Sequence, residues 1–145
     1  MKIYLGTDHA GFEIKESLKV FLTGKGYVVE DMGAYAYDAG DDYPDFIAPV
    51  AEAVAGEEGS FGIILGSSGQ GEAMCANRTK GARAVVYYDG PMEIVRLGRE
   101  HNNANILSLG ARFVSAEVAQ EAVELFLATP FSNDERHIRR LAKFN

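Results

Sequence analysis

Short apolar runs alternate with helix-spaced apolar positions along most of the chain, and no other feature restricts the fold as much. Residues 2–6 and Phe61–Leu65 are compact apolar segments, each closed by a glycine-containing polar turn, and Ala82–Tyr87 and Asn105–Leu109 repeat the pattern. A weaker run, Tyr27–Glu30, follows Gly24 and Gly26. Between these runs Ile14, Leu18, Phe21 and Leu22 recur at helical spacing, as do Ile47, Val50 and Val54, and then Val118, Ala122 and Leu125. Ser115 stands where the N-cap of the last of these helices belongs, and Gly24 and Gly26 stand where the first should stop. Strands and helices alternating at this spacing build right-handed βαβ units. The expected fold is therefore α/β, a Rossmann-like three-layer α/β/α sandwich around a five-stranded parallel sheet. The segment 31–43 has no period and many turn formers, so it reads as a loop near a ligand. The stretch 132–145 reads as a C-terminal extension holding a last short helix.

With 145 residues, 47% apolar and 24% charged, residues 1–145 suit a single domain. No window approaches the roughly 18 uninterrupted apolar residues that a spanning helix needs. Met1 runs straight into Lys-Ile-Tyr-Leu-Gly, without the pattern of a secretion signal, so the expected location is cytoplasmic. Cys75 stands alone, which excludes an intrachain disulfide and a cysteine-based zinc cluster and fits a reducing compartment. A formal net charge of -7 argues against broad binding to nucleic acid or anionic membrane. The local exception is Arg136, Arg139, Arg140 and Lys143 near the C-terminus, either a solvated helix end or a cationic patch.

In an open parallel sheet the ligand crevice lies beyond the carboxyl ends of the strands, and the turns after the first and third strands are both unusual. The first is Gly6-Thr7-Asp8-His9-Ala10-Gly11. Asp8 there is either a helix cap or a ligand group, while His9 is not a preferred cap. The second is Gly66-Ser67-Ser68-Gly69-Gln70-Gly71-Glu72 at the entry to a helix. Its small residues and successive N–H groups suit an anion, although the dinucleotide fingerprint and the Walker lysine are both absent. Glu72 either serves the helix dipole or acts as a general base beside a carbonyl held by the loop. The helix start favours the ionised carboxylate and enclosure disfavours it, a balance that the sequence leaves open.

A third cluster, Arg99-Glu100-His101-Asn102-Asn103-Ala104-Asn105, spans a helix end and the start of the fifth strand. That is the amino edge of the sheet. His101 is thus either a helix-end residue facing the dipole or a group donated to a partner's site, and the second reading predicts a homodimer with shared active sites. Arg112, with Arg136 and Arg140 at i, i+4 spacing, supplies fixed cations suited to a phosphate.

Seven segments in order, Gly-Thr-Asp-His-Ala-Gly-Phe-Glu-Ile-Lys, Asp-Tyr-Pro-Asp, Gly-Ser-Ser-Gly-Gln-Gly-Glu, Ala-Asn-Arg-Thr-Lys-Gly-Ala-Arg-Ala, Arg-Glu-His-Asn-Asn-Ala-Asn, Leu-Gly-Ala-Arg and Arg-His-Ile-Arg-Arg, resemble the ribose-5-phosphate isomerase B family of sugar-phosphate isomerases. The resemblance spans essentially the whole chain. It implies a Rossmann-like dimer, in some members paired into tetramers, that opens a furanose ring and moves a proton between C1 and C2 through a cis-enediolate without cofactor or metal. One branch of the family uses a cysteine immediately before the glycine loop, where this chain has Leu65; the other carries a glutamate at the end of the loop, matched here by Glu72. On this resemblance Glu72 is the base and His101 the acid that opens the ring. Asp8 and His9 bind sugar hydroxyls and phosphate, and Ser67, Ser68, Gly69, Gln70 and Gly71 hold the enediolate. Asn102, Arg112, Arg136 and Arg140 bind the substrate, chiefly its phosphate, and Tyr43 is a candidate lining residue. Cys75 reads as a helix core residue.

The implied reaction interconverts ribose 5-phosphate and ribulose 5-phosphate. Its rivals are the same reaction on allose 6-phosphate, galactose 6-phosphate or a tetrose phosphate, and a noncatalytic phosphate-binding module. A metal enzyme fits less well, because His9, His101 and His137 lack metal-ligand spacing.

Overall fold

The computed structural model describes residues 1–144. Five strands form one sheet: β1 (Lys2–Thr7), β2 (Val28–Asp31), β3 (Phe61–Gly66), β4 (Ala84–Tyr87) and β5 (Ile106–Gly110). All neighbours are parallel, in the order β2-β1-β3-β5-β4. Helices α1 (Phe12–Gly24), α4 (Glu93–Asn102) and α5 (Ala116–Ala128) cover one face, while α2 (Pro44–Gly56) and α3 (Gln70–Ala76) cover the other. The last helix, α6 (Glu135–Leu141), packs on α4. Among the described residues no helix is long and apolar enough to cross a membrane.

The three-layer expectation holds because the central strands are apolar on both faces, as strands covered by helices must be. Ile3 and Leu5 of β1 and Ile63 and Leu65 of β3 enter the cluster under α1 and α5; Tyr4 and Ile64 point to the other side, under α2. Ser115 caps α5 as its spacing suggests, accepting a hydrogen bond from the Val118 N–H at 3.2 Å, an interaction worth about 1 kcal/mol.

The boundaries shift where other hydrogen bonds compete with the ladder. Tyr27 stays outside β2 because its N–H bonds back to the Leu22 carbonyl at the end of α1. Asn105 and Arg83 stay outside β5 and β4, the Asn105 side chain accepting from the Arg83 N–H at 2.7 Å. Within the 132–145 extension the helix occupies Glu135–Leu141, and Asn145 lies outside the described residues.

From β1 the chain moves first to β2 on one side and then across to β3 on the other. This reversal opens a crevice beyond the carboxyl ends of β1 and β3. Both unusual turns lie there.

Candidate active site

The turn after β3 is shaped around one carboxylate. Glu72, in the first turn of α3, folds back over Gly66, where a Cβ would lie 1.8 Å from Glu72 Oε1, so any side chain at position 66 would displace it. Gly69 is left-handed at φ +76 and passes so close to β5 that its Cβ would meet the Leu109 carbonyl carbon at 2.9 Å. Ser108, buried in β5, donates to the Gly69 carbonyl at 2.6 Å. The turn after β5 adds two more bonds, from the Ala111 N–H to Gly66 O at 2.8 Å and from the Arg112 N–H to Ser67 O at 3.0 Å. Arg112, exposed, is thereby fixed at the rim of the loop. Ser68 Oγ accepts from the Gln70 N–H at 3.3 Å. Among the described residues, the N–H groups of Ser67 and Ser68 have no acceptor.

Glu72 is only 4% exposed. Burial is the main influence on its carboxyl and raises the pKa, the negative charge of Asp8 adds to the rise, and the N–H groups of Glu72 and Gly69 oppose it. Burial prevails, which settles the balance the sequence leaves open: this carboxylate is more basic than an ordinary glutamate. Cys75, one turn on, is half-buried against the apolar cluster beneath α2. Burial and then the Glu72 charge push its thiol pKa up, away from the reactive thiolate, consistent with a packing role.

Asp8 takes the capping role that its position offers. It accepts from the Ala10 N–H at 3.0 Å, capping the short 3-10 turn His9–Gly11, and it is buried close enough for its charge to reach Glu72. His9 Nδ1 lies 2.6 Å from Asp41 Oδ1. That bond raises the His9 pKa; burial opposes it, and the charges of Asp8, Asp41 and Asp38 add to it. Tyr43 precedes α2 and borders the loop, since a Cβ on Gly71 would fall 2.7 Å from its hydroxyl. Asp41 is a site residue that the sequence reading missed. Its only signal there was membership of an acidic loop, because the contact with His9 joins positions 32 residues apart.

Asp8, His9 and Asp41 are also the one trio of possible metal-binding side chains among the described residues. Two ligands each about 2.1 Å from one ion stand roughly 3 Å apart or more. The 2.6 Å between His9 and Asp41 is instead that of a hydrogen bond carrying a proton, so the trio as it stands does not fit a metal.

Asp8, His9, Tyr43, Ser67, Ser68, Gly69, Gln70, Gly71, Glu72 and Arg112 therefore gather at the carboxyl edge of the sheet. His101, Asn102, Arg136 and Arg140 do not. Helix α4 runs back to the start of β5, where Ile106 pairs with Gly62 and Ala84, so His101 and Asn102 lie at the amino edge. The His101 ring stacks on His137 of α6 with centroids 4.4 Å apart. Asn102 lines a cavity of about 480 Å³ with residues 77–85 and Phe144. Arg136 and Arg140 are exposed on α6.

Known proteins share both the fold and its length. The profile of the family described as "Ribose/Galactose Isomerase" matches residues 3–144. "Ribose-5-phosphate isomerase B" of Mycolicibacterium paratuberculosis is 42% identical over 141 residues, 97% of this chain and 87% of that protein. The crystal structure of a ribose 5-phosphate isomerase from Thermotoga maritima superposes with a TM-score of 0.91 at 44% identity, covering 99% of this chain and 96% of the other. Ribose-5-phosphate isomerase B from Mycoplasma genitalium, solved with bound ribulose-5-phosphate, superposes at 0.93 with 36% identity, covering 98% and 92%. Agreement across nearly every described residue, reaching from the first strand to the last helix, makes this chain a member of the ribose/galactose isomerase family.

Proposed function

We propose that the chain interconverts D-ribose 5-phosphate and D-ribulose 5-phosphate, with Glu72 as the catalytic base. The observation that carries this reading is the burial of Glu72 over Gly66, beside a loop whose N–H groups at Ser67 and Ser68 have no acceptor among the described residues. A carboxylate of raised basicity takes the proton from C2 of the open-chain aldose. The loop stabilises the charge that develops on the neighbouring oxygen; the protonated Glu72 then returns the proton to C1 of the resulting cis-enediolate, while the hydroxyl proton of O2 passes to O1. Noncatalytic phosphate binding would have no use for such a base. The Mycoplasma genitalium relative holds ribulose 5-phosphate, which supports a five-carbon substrate here.

In this reading the second half of each site comes from a partner copy. His101 sits at the opposite edge of its own sheet from Glu72, so it can protonate the ring oxygen only across a subunit boundary. Asn102, Arg136 and Arg140 of the same copy accompany it and hold the phosphate together with Arg112. The working form is a cytoplasmic homodimer of single-domain chains, needing neither metal nor organic cofactor.

The first test is the formation of ribulose 5-phosphate from ribose 5-phosphate by the purified protein in EDTA. Rapid turnover is expected; conversion only of a six- or four-carbon aldose phosphate would change the substrate, and conversion of none would leave a binding module. The shared site is tested by mixing Glu72→Gln chains with His101→Asn chains. Random pairing leaves one intact site in each mixed dimer, about a quarter of wild-type activity overall. No recovery in verified mixed dimers would refute the division of the site.

A further inference from the structure

Asp41 spends one carboxylate oxygen entirely on His9. Oδ1 accepts from the His9 backbone N–H at 3.0 Å and faces His9 Nδ1 at 2.6 Å. A carboxylate only accepts, so Nδ1 carries a proton, and the ring is gripped at two points rather than swinging about its side-chain bonds. Among the described residues Nε2 has no hydrogen-bond partner, and the ring is about one-third exposed, with 32% of its side-chain surface open. The other oxygen, Oδ2, is the one buried side-chain polar atom without a partner among the described residues. Packing alone gives no reason to bury a half-satisfied carboxylate, and such a group calls for a function.

The surroundings of the ring indicate what that function is. Asp8 Oδ2 stands 3.9 Å from Nδ1, and the charge of Asp38 also reaches the ring. The Tyr37 ring meets His9 edge-on with centroids 6.0 Å apart. A cavity of about 320 Å³ lies against His9, lined also by Ala10, Glu13, Ile14, Tyr37 and Ala111, the neighbour of Arg112. A phosphate entering here with His9 neutral would meet Asp8, Glu13, Asp38 and Asp41, with Arg112 as the nearby cation. A charged imidazole offsets one of those negative charges and turns Nε2 into an N–H donor facing the entering group.

We propose that Asp41 is a positioning residue which, by bonding both the backbone N–H and Nδ1 of His9, turns that ring into a fixed N–H donor for the phosphate of the sugar phosphate. This rests on the isomerase reading proposed above and on the phosphate-binding role that the family resemblance implies for His9. The direction of the His9 pKa agrees, since the Asp41 bond is the largest influence and raises it. Asp41 itself does not touch the reacting atoms. Its effect therefore falls on binding and on the pH range in which binding is strong.

The test combines a ring titration with a double-mutant cycle. Imidazole signals of the ligand-free full-length protein are followed by NMR against pH, with His9 assigned by its disappearance in His9→Asn. Replacing the carboxylate by the isosteric amide, Asp41→Asn, is expected to lower the His9 midpoint by about one pH unit. It should also raise the KM for ribose 5-phosphate and the inhibition constant of inorganic phosphate about tenfold, with kcat changed much less. Adding Asp41→Asn to His9→Asn should then change the phosphate inhibition constant no further, as expected of a residue that acts only through the ring. An unmoved His9 midpoint, or losses that simply add, would overturn the proposal. The ring titration needs no turnover, so it decides for or against Asp41 even if the isomerase reading fails.

Discussion

Asp31 ends β2 and Glu72 opens α3, and both carboxylates are largely withdrawn from solvent near the same edge of the sheet, yet their surroundings differ in kind. Asp31 is saturated with donors: Lys15 Nζ and Lys19 Nζ each at 2.7 Å and the Gly33 N–H at 3.0 Å. Burial pushes its pKa up, but Lys15, Lys19 and the Gly33 N–H together hold it below the ordinary value. Glu72 has backbone N–H groups and, among the described residues, no cation, and its pKa goes the other way. A carboxylate that anchors a fold is compensated by charge; one that must accept a proton is left short of it.

The largest expected effect separates the two at once. Glu72→Gln keeps the shape over Gly66 but removes the base, so kcat should fall about a hundredfold to ten-thousandfold. Its denaturation midpoint should stay level or rise, because the amide carries no charge to desolvate. Asp31→Asn should do the reverse. Lys15 is fully buried, and its other partners are Glu16 at 3.1 Å, the Ala34 carbonyl at 2.7 Å and the faces of Phe12 and Tyr35. The loss should be about 3 kcal/mol, the lower end for a broken buried pair because Glu16 remains. Activity per folded molecule should persist. If Glu72→Gln destabilises as much as Asp31→Asn, or if turnover survives it, the contrast between the two carboxylates fails.

The same contrast explains how far the sequence could be read. Glu72 was recognisable as a candidate because the pattern that marks it lies among neighbours along the chain, a run of small residues closing on an acid at a helix start. The strands were recognisable for the same local reason, with Ile3, Leu5, Ile63 and Leu65 each fully buried in one cluster. Lys15 closes the segment Gly6–Lys15 without a role legible there, since its partners Asp31 and Ala34 lie 16 and 19 positions away. Asp41 was hidden likewise, 32 positions from His9 in a loop without a period. The direction of the Glu72 shift was out of reach too, because burial is a property of the packed crevice and the helix start alone argues the opposite. His101 was legible in position, at the amino edge, but its stack on His137 is a contact between α4 and α6 that no spacing announces. Contacts between neighbours in the chain leave a pattern; contacts made by the sheet order do not.

Acid should separate the two carboxylates by a smaller margin. The folded pKa of Glu72 lies above the ordinary 4.5, so the ionised base is lost as pH falls through that raised value, and kcat falls with it. For stability the sign is opposite to that of Asp31: burying ionised Glu72 carries a cost that is full above its folded pKa and disappears once pH drops below the unfolded one. Asp31 is depressed below the ordinary 3.8, so its contribution is fully present above the unfolded pKa and is lost only as pH falls through the folded value. On acidification from neutrality, turnover should therefore fail while the fold still stands, and a return to pH 7 should restore it at once. The check is kcat at saturating substrate, which discounts the phosphate's own titration in binding, beside circular dichroism on the same samples. Loss of activity and of structure at one common midpoint would mean that Glu72 is not the group whose protonation stops the reaction, and that the two carboxylates respond to acid as parts of a single unfolding event.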